Sequence, residues 1–279
     1  MRLVTFRDPD GSARVGVLEG EVVRVVAAPT MLAWLAGEGR ERTGEERALA
    51  EVDLLAPVPE PPSVRDFYAF EGHVAAAWRR RGAEVPRQWY EAPAFYFSNP
   101  AAIRGPGEAV KRPAGSERLD FELEIAAVVA AGGIIGGFTL MNDWSARDLQ
   151  ANEVTVGLGP QKAKDFATSL GPWLVTPDEL PYQNGRLDLE ATVTVNGTEL
   201  SRCSGSEQHF PWPRLLEHAA RDTRLRPGDV LGSGTLAGGS LVDLGPQDFG
   251  HGRGERWIEP GDVVELAAPG LGRLASPVV

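Results

Sequence analysis

The run Asp120-Phe121-Glu122-Leu123-Glu124-Ile125-Ala126-Ala127-Val128-Val129 constrains this chain more than any other segment. Side chains of an extended segment alternate between faces. Asp120, Glu122 and Glu124 therefore share one face, and Phe121, Leu123 and Ile125 the other. An edge strand with one wet face has the same pattern. Here, however, the continuation from Ala126 to Val129 is apolar on both faces, as in a strand that enters a core. Same-face carboxylates repel one another. A cation held between them turns that repulsion into coordination by hard oxygens, which suits magnesium, manganese or calcium.

Two further segments carry chemistry. In Phe138-Thr139-Leu140-Met141-Asn142-Asp143-Trp144-Ser145-Ala146-Arg147-Asp148 an apolar strand ends at Asn142-Asp143 and a helical pattern follows. Asp143 at that junction reads either as a helix N-cap or as a metal ligand fixed by a rigid strand. In Asp66-Phe67-Tyr68-Ala69-Phe70-Glu71-Gly72-His73, one of only four histidines stands among acidic and aromatic residues. A carboxylate partner would hold the His73 tautomer and raise its basicity, as a general base requires.

The rest of the chain reads as β-rich. Arg2–Phe6, Ala13–Leu18 and Val22–Val26 are strand patterns, the first two split by the hairpin signal Asp8-Pro9-Asp10-Gly11. Met31–Gly37 and Arg40–Glu51 are short helical patterns. The segment Ala56-Pro57-Val58-Pro59-Glu60-Pro61-Pro62 has four prolines in seven residues and reads as a linker. It divides a small N-terminal unit, residues 1–57, from a body over residues 58–279. In the body, strands are expected at Ala94–Phe97, Glu122–Val129, Phe138–Asn142, Trp173–Thr176, Leu187–Val195, Val230–Leu231 and Asp262–Leu266. Helices are expected at Gly72–Arg81, Ala146–Asn152 and Trp212–Arg221.

Thirty-nine acidic residues against 28 basic give a net charge of −11, which disfavours a nucleic-acid partner. The one cysteine, Cys203, cannot form an internal disulfide and points to a reducing, cytoplasmic setting. The start reads as a strand rather than a signal peptide, and no apolar stretch is long enough for a membrane span. There is no Gly-x-Ser-x-Gly elbow and no phosphate-binding Gly-x-x-x-x-Gly-Lys-Ser/Thr loop.

Taken together and in order, the Asp66-Phe67-Tyr68 segment with His73, the Glu122-Leu123-Glu124 strand and the Asn142–Asp148 run resemble the fumarylacetoacetate hydrolase family. Lys164-Asp165-Phe166-Ala167-Thr168 and Gly232-Ser233-Gly234-Thr235 extend the likeness, which covers Ser63 to the C-terminus. It implies a β-rich α+β fold, a mixed β-roll or sandwich with peripheral helices behind a small N-terminal domain, in a homodimer. It implies a divalent metal, Mg2+ or else Mn2+ or Ca2+, on Asp66, Glu122, Glu124 and Asp143, with Lys164 offsetting the charge. Substrate contacts map to Tyr68, Tyr96, Gln150 and Thr235, with Thr168 beside Lys164. The catalytic histidine maps to His73, with Glu71 as its expected acidic partner by proximity. An arginine after the histidine maps to Arg79, Arg80 or Arg81. The stretch between Glu124 and Phe138 is shorter than the family usually has.

The activity so implied is cleavage of a carbon–carbon bond in a small diketo acid, an acylpyruvate or a fumarylacetoacetate-like compound. His73 would activate a water, and Lys164 and Gln150 would stabilise the departing carbanion. Oxaloacetate decarboxylation or enol–keto isomerisation on the same scaffold is the alternative. A metal-binding protein without catalysis is a third reading. Loops Glu84–Glu91 and Leu236–Gly254 would shape the pocket, and Trp89, Tyr90, Phe95 and Phe97 would serve either a subunit interface or the core.

Overall fold

A computed structural model of the chain describes residues 1–249 and 254–279. Strands β1 (Arg2–Arg7), β2 (Ala13–Glu19) and β3 (Val22–Val26) form an antiparallel meander. Helix α1 (Met31–Ala36) is capped by the Thr30 hydroxyl and buries Met31, Trp34 and Leu35. The helix expected over Arg40–Glu51 is instead mostly strand β4 (Arg42–Ala48), paired with β3. Its charges meet partners outside it: Glu46 pairs with Arg24 on β3, Glu45 with Arg14 on β2, and Arg47 with Asp8 just after β1. Local propensity is a weak determinant against such cross-strand pairing. β5 (Asp53–Leu54) pairs with β1, and the proline-rich segment 56–62 carries neither helix nor strand.

The body continues with β6 (Val64–Phe67), α2 (Glu71–Arg80), α3 (Arg87–Glu91), β7 (Phe95–Ser98), β8 (Ile103–Arg104) and β9 (Leu119–Asp120). β10 (Leu123–Ala130), β11 (Ile134–Asp143), β12 (Ser145–Ala146), α4 (Arg147–Glu153) and β13 (Thr168–Val175) follow. The remaining elements are β14 (Tyr182–Gln183), β15 (Arg186–Leu187), β16 (Glu190–Val195), β17 (Thr198–Ser204), α5 (Trp212–Ala220), β18 (Val230–Gly232), α6 (Leu241–Leu244), β19 (Val263–Ala268) and β20 (Gly272–Pro277).

A 12-stranded mixed sheet runs β4-β3-β2-β1-β13-β11-β10-β18-β6-β7, with β5 added on β1 and β8 on β13. A 4-stranded antiparallel sheet, β17-β16-β19-β20, packs nearby through β20 against β13. The architecture is the β-rich α+β type that the resemblance implied. β1 hydrogen-bonds to β13, so strands before and after the proline-rich segment share one sheet. The expected strand over Leu187–Val195 is broken into β15 and β16, and the one at Trp173 begins earlier, at Thr168. Among the described residues no helix is long and apolar enough to cross a membrane.

The short stretch after Glu124 is a direct hairpin: β10 pairs with β11 from Leu123↔Asn142 to Ala130↔Ile134, closed by Ala131-Gly132-Gly133. Phe121, Leu123 and Ile125 are at most 2% exposed in the largest core cluster. Burial of such side chains is worth roughly 1.5–3 kcal/mol each. That apolar face anchors the segment and so fixes the carboxylates on its other side.

Candidate metal centre and active-site cavity

Three strands and the break before one of them deliver the acidic side chains. Asp66 sits on β6, between β18 and β7, opposite Gly232 and Tyr96. Glu124 is the second residue of β10, Asp143 is the last of β11, and Glu122 lies at the break before β10. One carboxylate oxygen from each of Asp66, Glu122, Glu124 and Asp143 lies within 4.8 Å of the others, and all four residues are buried. Lys164 Nζ donates to Glu122 Oε2 and Asp143 Oδ2. Tyr96 Oη donates to Asp143 Oδ2 at 2.7 Å. Arg147 donates from Nη2 to Glu122 Oε1 at 2.6 Å, from Nε to Asp120 Oδ2 at 2.8 Å and from Nη1 to Gln150 Oε1 at 3.1 Å.

This set fits a hard divalent cation. Five buried carboxylates, counting Asp120, face two buried cations, Lys164 and Arg147. Buried charge left unbalanced is costly and is relieved by a proton or a metal. Two oxygens, Glu124 Oε1 and Asp143 Oδ1, are buried with no hydrogen-bond partner. Backbone also makes room for the acids. A Cβ on Gly232 would stand 2.5 Å from Asp66 Oδ1 and 2.9 Å from Glu124 Oε2. Gly234, at φ +79°, donates its N–H to both of those oxygens, at 3.2 and 3.1 Å. Gly232→Ala is expected to destabilise the protein by about 1–3 kcal/mol through overpacking, read by urea unfolding. An unchanged midpoint would show that the acids shift freely.

Burial, reinforced by neighbouring carboxylates, pushes Asp66 and Glu124 well above the usual carboxylate range. Burial also raises Asp143 despite Lys164. Burial would raise Glu122 too, but Arg147 and Lys164 outweigh it and hold Glu122 low. In metal-free protein these carboxyls therefore hold their protons to higher pH than ordinary carboxyls do. For groups raised in the folded state, the stabilisation is full below the ordinary carboxylate pKa and is lost as pH rises through the raised values. Chelator-stripped protein is therefore expected to melt at lower temperature as pH is raised from 5 to 8, and Mn2+ affinity to strengthen over the same range. A calorimetric titration and a melting series check both, and a pH-independent affinity would contradict the shared protons.

His73 is buried on α2, with Nδ1 at 2.9 and 3.0 Å from Asp243 Oδ1 and Oδ2 on α6. Asp243 also accepts the Gly238 N–H at 3.0 Å. A carboxylate on Nδ1 fixes the proton there, so Nε2 is the basic nitrogen left for the cavity. Glu71, the partner expected from proximity, does not play that part. It is exposed, and accepts the Tyr90 hydroxyl at 2.7 Å. Helix geometry explains the correction: residues two apart point to different sides of a helix, and Glu71 and His73 are both on α2. Nothing in the sequence near His73 signals Asp243, which is 170 residues away.

A cavity of about 750 Å3 opens over the cluster, walled by Asp66, Glu122, Glu124, His73, Arg147 and Lys164. Tyr68, Tyr96, Gln150 and Thr235 also line it. Burial pushes the Tyr68 hydroxyl up to about 12, which keeps it a proton donor. Trp78, Phe95, Val154, Arg80 and Arg81 line it as well, and Arg79 does not. Thr168 lies outside the wall, opposite Asp143 in the β11–β13 ladder. Loop Glu84–Glu91 contributes no wall residue, whereas Thr235 and Val242 flank and enter the Leu236–Gly254 loop, whose residues 250–253 lie outside the described ones. Trp89 is core, whereas Tyr90 and Phe97 are 42% and 63% exposed. Arg147 carries no role in the sequence analysis, although it stands within one of the motifs, and Asp120 enters there only as a member of the acidic face. Cys203 is buried, and burial raises its thiol to about 11, which makes it a poor nucleophile.

Comparison with known proteins agrees with this geometry. The family model described as "Fumarylacetoacetate (FAA) hydrolase C-terminal" matches residues 63–279, and one described as "Rv2993c-like, N-terminal" matches residues 1–57. The chain is 29% identical to the fumarylacetoacetase of Oryza sativa over 286 residues, covering 79% of this chain and 66% of the rice protein, so it spans about two thirds of that relative's length. Among solved structures it is similar to 5-carboxymethyl-2-hydroxymuconate delta-isomerase from Mycobacterium smegmatis, with TM-score 0.75, 28% identity and coverage of 100% of this chain and 99% of that one. It is likewise similar to 2-hydroxyhepta-2,4-diene-1,7-dioate isomerase from Mycobacterium marinum, with TM-score 0.74, 27% identity and coverage of 100% and 98%. With the matched model spanning most of the chain and the buried acid cluster seated where its motifs converge, the chain belongs to the fumarylacetoacetate hydrolase family.

Proposed function

We propose that the chain is a divalent-metal-dependent hydrolase that cleaves a carbon–carbon bond in a small diketo acid, either an acylpyruvate or a fumarylacetoacetate-like compound. The observation that carries this reading is His73, held by Asp243, on the wall of the cavity that reaches Asp66, Glu122 and Glu124 of the four-carboxylate cluster. Hydrolysis needs a base for water, and His73 Nε2 meets that need.

Asp66, Glu122, Glu124 and Asp143 would hold Mg2+, Mn2+ or Ca2+, which when bound supplies Lewis-acid polarisation of the substrate oxygens. His73 takes a proton from water as the oxygen attacks a carbonyl carbon, and Asp243 stabilises the imidazolium. The carbon–carbon bond then breaks, and its electron pair leaves with the departing carbon; the proton that His73 took from water is given up to that carbon as the second product forms, which returns the base to its neutral form. Lys164 and the Gln150 amide offer fixed positive charge and hydrogen bonds to the developing negative charge. Arg80 and Arg81, which line the cavity, suit a carboxylate of the substrate. The similarity to two isomerases favours a second reading, isomerisation at the same centre; oxaloacetate decarboxylation there is a further alternative. We also propose a cytoplasmic homodimer with Tyr90 and Phe97 at the subunit contact, which light scattering of the purified protein tests.

Ultraviolet assays with acetylpyruvate, fumarylpyruvate and oxaloacetate, each with Mg2+ or Mn2+ and with EDTA, test the activity. Metal-dependent loss of a diketone is the expected result. Turnover of oxaloacetate alone would transfer the chain to the decarboxylase reading, and no turnover at all would leave it a metal-binding member without this chemistry.

A further inference from the structure

Asn142 is a buried amide that the site described above does not use. It is 1% exposed, one residue before Asp143 on β11, and its register partner on β10 is Leu123. Asn142 and Leu123 share the apolar face of the hairpin, opposite Glu124 and Asp143. A leucine would bury there without penalty. An amide is costly, the more so because Asn142 Nδ2 has no acceptor.

Its oxygen does have a partner: Asn142 Oδ1 accepts the backbone N–H of Glu122 at 2.9 Å. The ladder explains why that matters. Leu123 sends its N–H to Gly239 O at 2.9 Å, so Leu123 and Asn142 form a pair without mutual hydrogen bonds. The next antiparallel pair, Glu122 with Asp143, should then exchange two backbone hydrogen bonds. One is present: Asp143 N–H donates to Glu122 O at 3.2 Å. In place of the other, the Glu122 N–H goes to the Asn142 side chain, and the Asp143 carbonyl accepts the Ser145 hydroxyl at 3.0 Å. β10 and β11 therefore part where they present two of the four clustered carboxylates. A side-chain oxygen stands in for the missing backbone acceptor.

We infer that Asn142 is a positioning residue for the metal centre: its carboxamide oxygen sets the Glu122 backbone where the two strands part, and so aims the Glu122 carboxylate at the ion. The inference rests on reading the four carboxylates as a divalent-cation site. The test is Mn2+ binding to the chelator-stripped full chain, followed by electron paramagnetic resonance of free Mn2+, with folding checked by circular dichroism. Asn142→Leu, which removes the acceptor at similar volume, is expected to bind Mn2+ roughly 10–100-fold more weakly, as loss of a ligand-orienting group does. Asn142→Ala serves if the leucine variant does not fold. Asn142→Asp keeps an oxygen acceptor and is expected to restore most of the affinity. If the parent binds Mn2+ and a folded Leu or Ala variant binds equally well, the positioning role is overturned while the metal site stands. The same follows if the Asp variant is as weak as the Leu variant. If the parent itself does not bind Mn2+, the metal-site reading fails and takes the inference with it.

Discussion

Glu124→Gln is expected to weaken Mg2+ or Mn2+ binding by on the order of 100-fold or more, beyond the loss seen when only a ligand-orienting group is removed, while leaving the metal-free fold at least as stable as the parent. Glu124 is 0% exposed, and its Oε1 has no hydrogen-bond partner. Burial and the adjacent Asp66 carboxylate push it well above the usual range, so without metal its ionised form is held only at the cost of repulsion. Glutamine keeps the shape and an oxygen for the Gly234 N–H, and it offers an amide N–H where the two acids now confront each other. The substitution thus relieves strain in one state and removes an anionic ligand from the other. At a metal concentration of 100 times Kd, the parent gains about 2.7 kcal/mol of stability, several degrees in Tm, and the variant loses nearly all of that gain. Calorimetric titration and melting curves with and without EDTA measure both. A variant that binds as tightly as the parent would remove Glu124 from the site.

His73→Ala is expected to lower kcat for diketone hydrolysis by about 10^2–10^4, the usual worth of a positioned general base, with KM little changed and metal binding intact. His73 touches the cavity, whereas its Nδ1 is engaged by Asp243. Asp243→Asn should reproduce a large part of the loss, because an amide on Nδ1 no longer fixes the tautomer that leaves Nε2 basic. Steady-state assays on both variants, with Mn2+ affinity as the control, separate catalysis from assembly of the centre. Diketone turnover that survives His73→Ala would assign the base elsewhere. Oxaloacetate turnover that survives it would instead favour the decarboxylase or isomerase reading.

Strand alternation alone set Glu122 and Glu124 on one face, and both stand in the cluster. The same alternation counted Asp120 with them, yet Asp120 turns away to accept the N–H groups of Leu241 and Val242 and the Arg147 guanidinium. The strand is interrupted at Phe121 and Glu122, so alternation does not carry across. Asp66 and Lys164 were legible through family resemblance, not through any spacing, because their proximity to the cluster depends on strand pairing between distant segments. Arg40–Glu51 reads as a helix for the same reason: the partners of its charges lie on β2, on β3 and just after β1.

What the sequence by itself determined is local: the acid-bearing strand anchored by its apolar face, the end of the apolar strand at Asp143, the hairpin near the N-terminus and the proline-rich break after it. What only the tertiary structure decided is which distant groups meet. Asp243 rather than Glu71 faces His73, Gly232 and Gly234 supply the room and the N–H groups for two carboxylates, and Arg147 joins Asp120 to Glu122. Periodicity fixes the direction of a side chain relative to its own strand or helix, but the partner it meets is set by sheet register and helix docking, which span the whole chain.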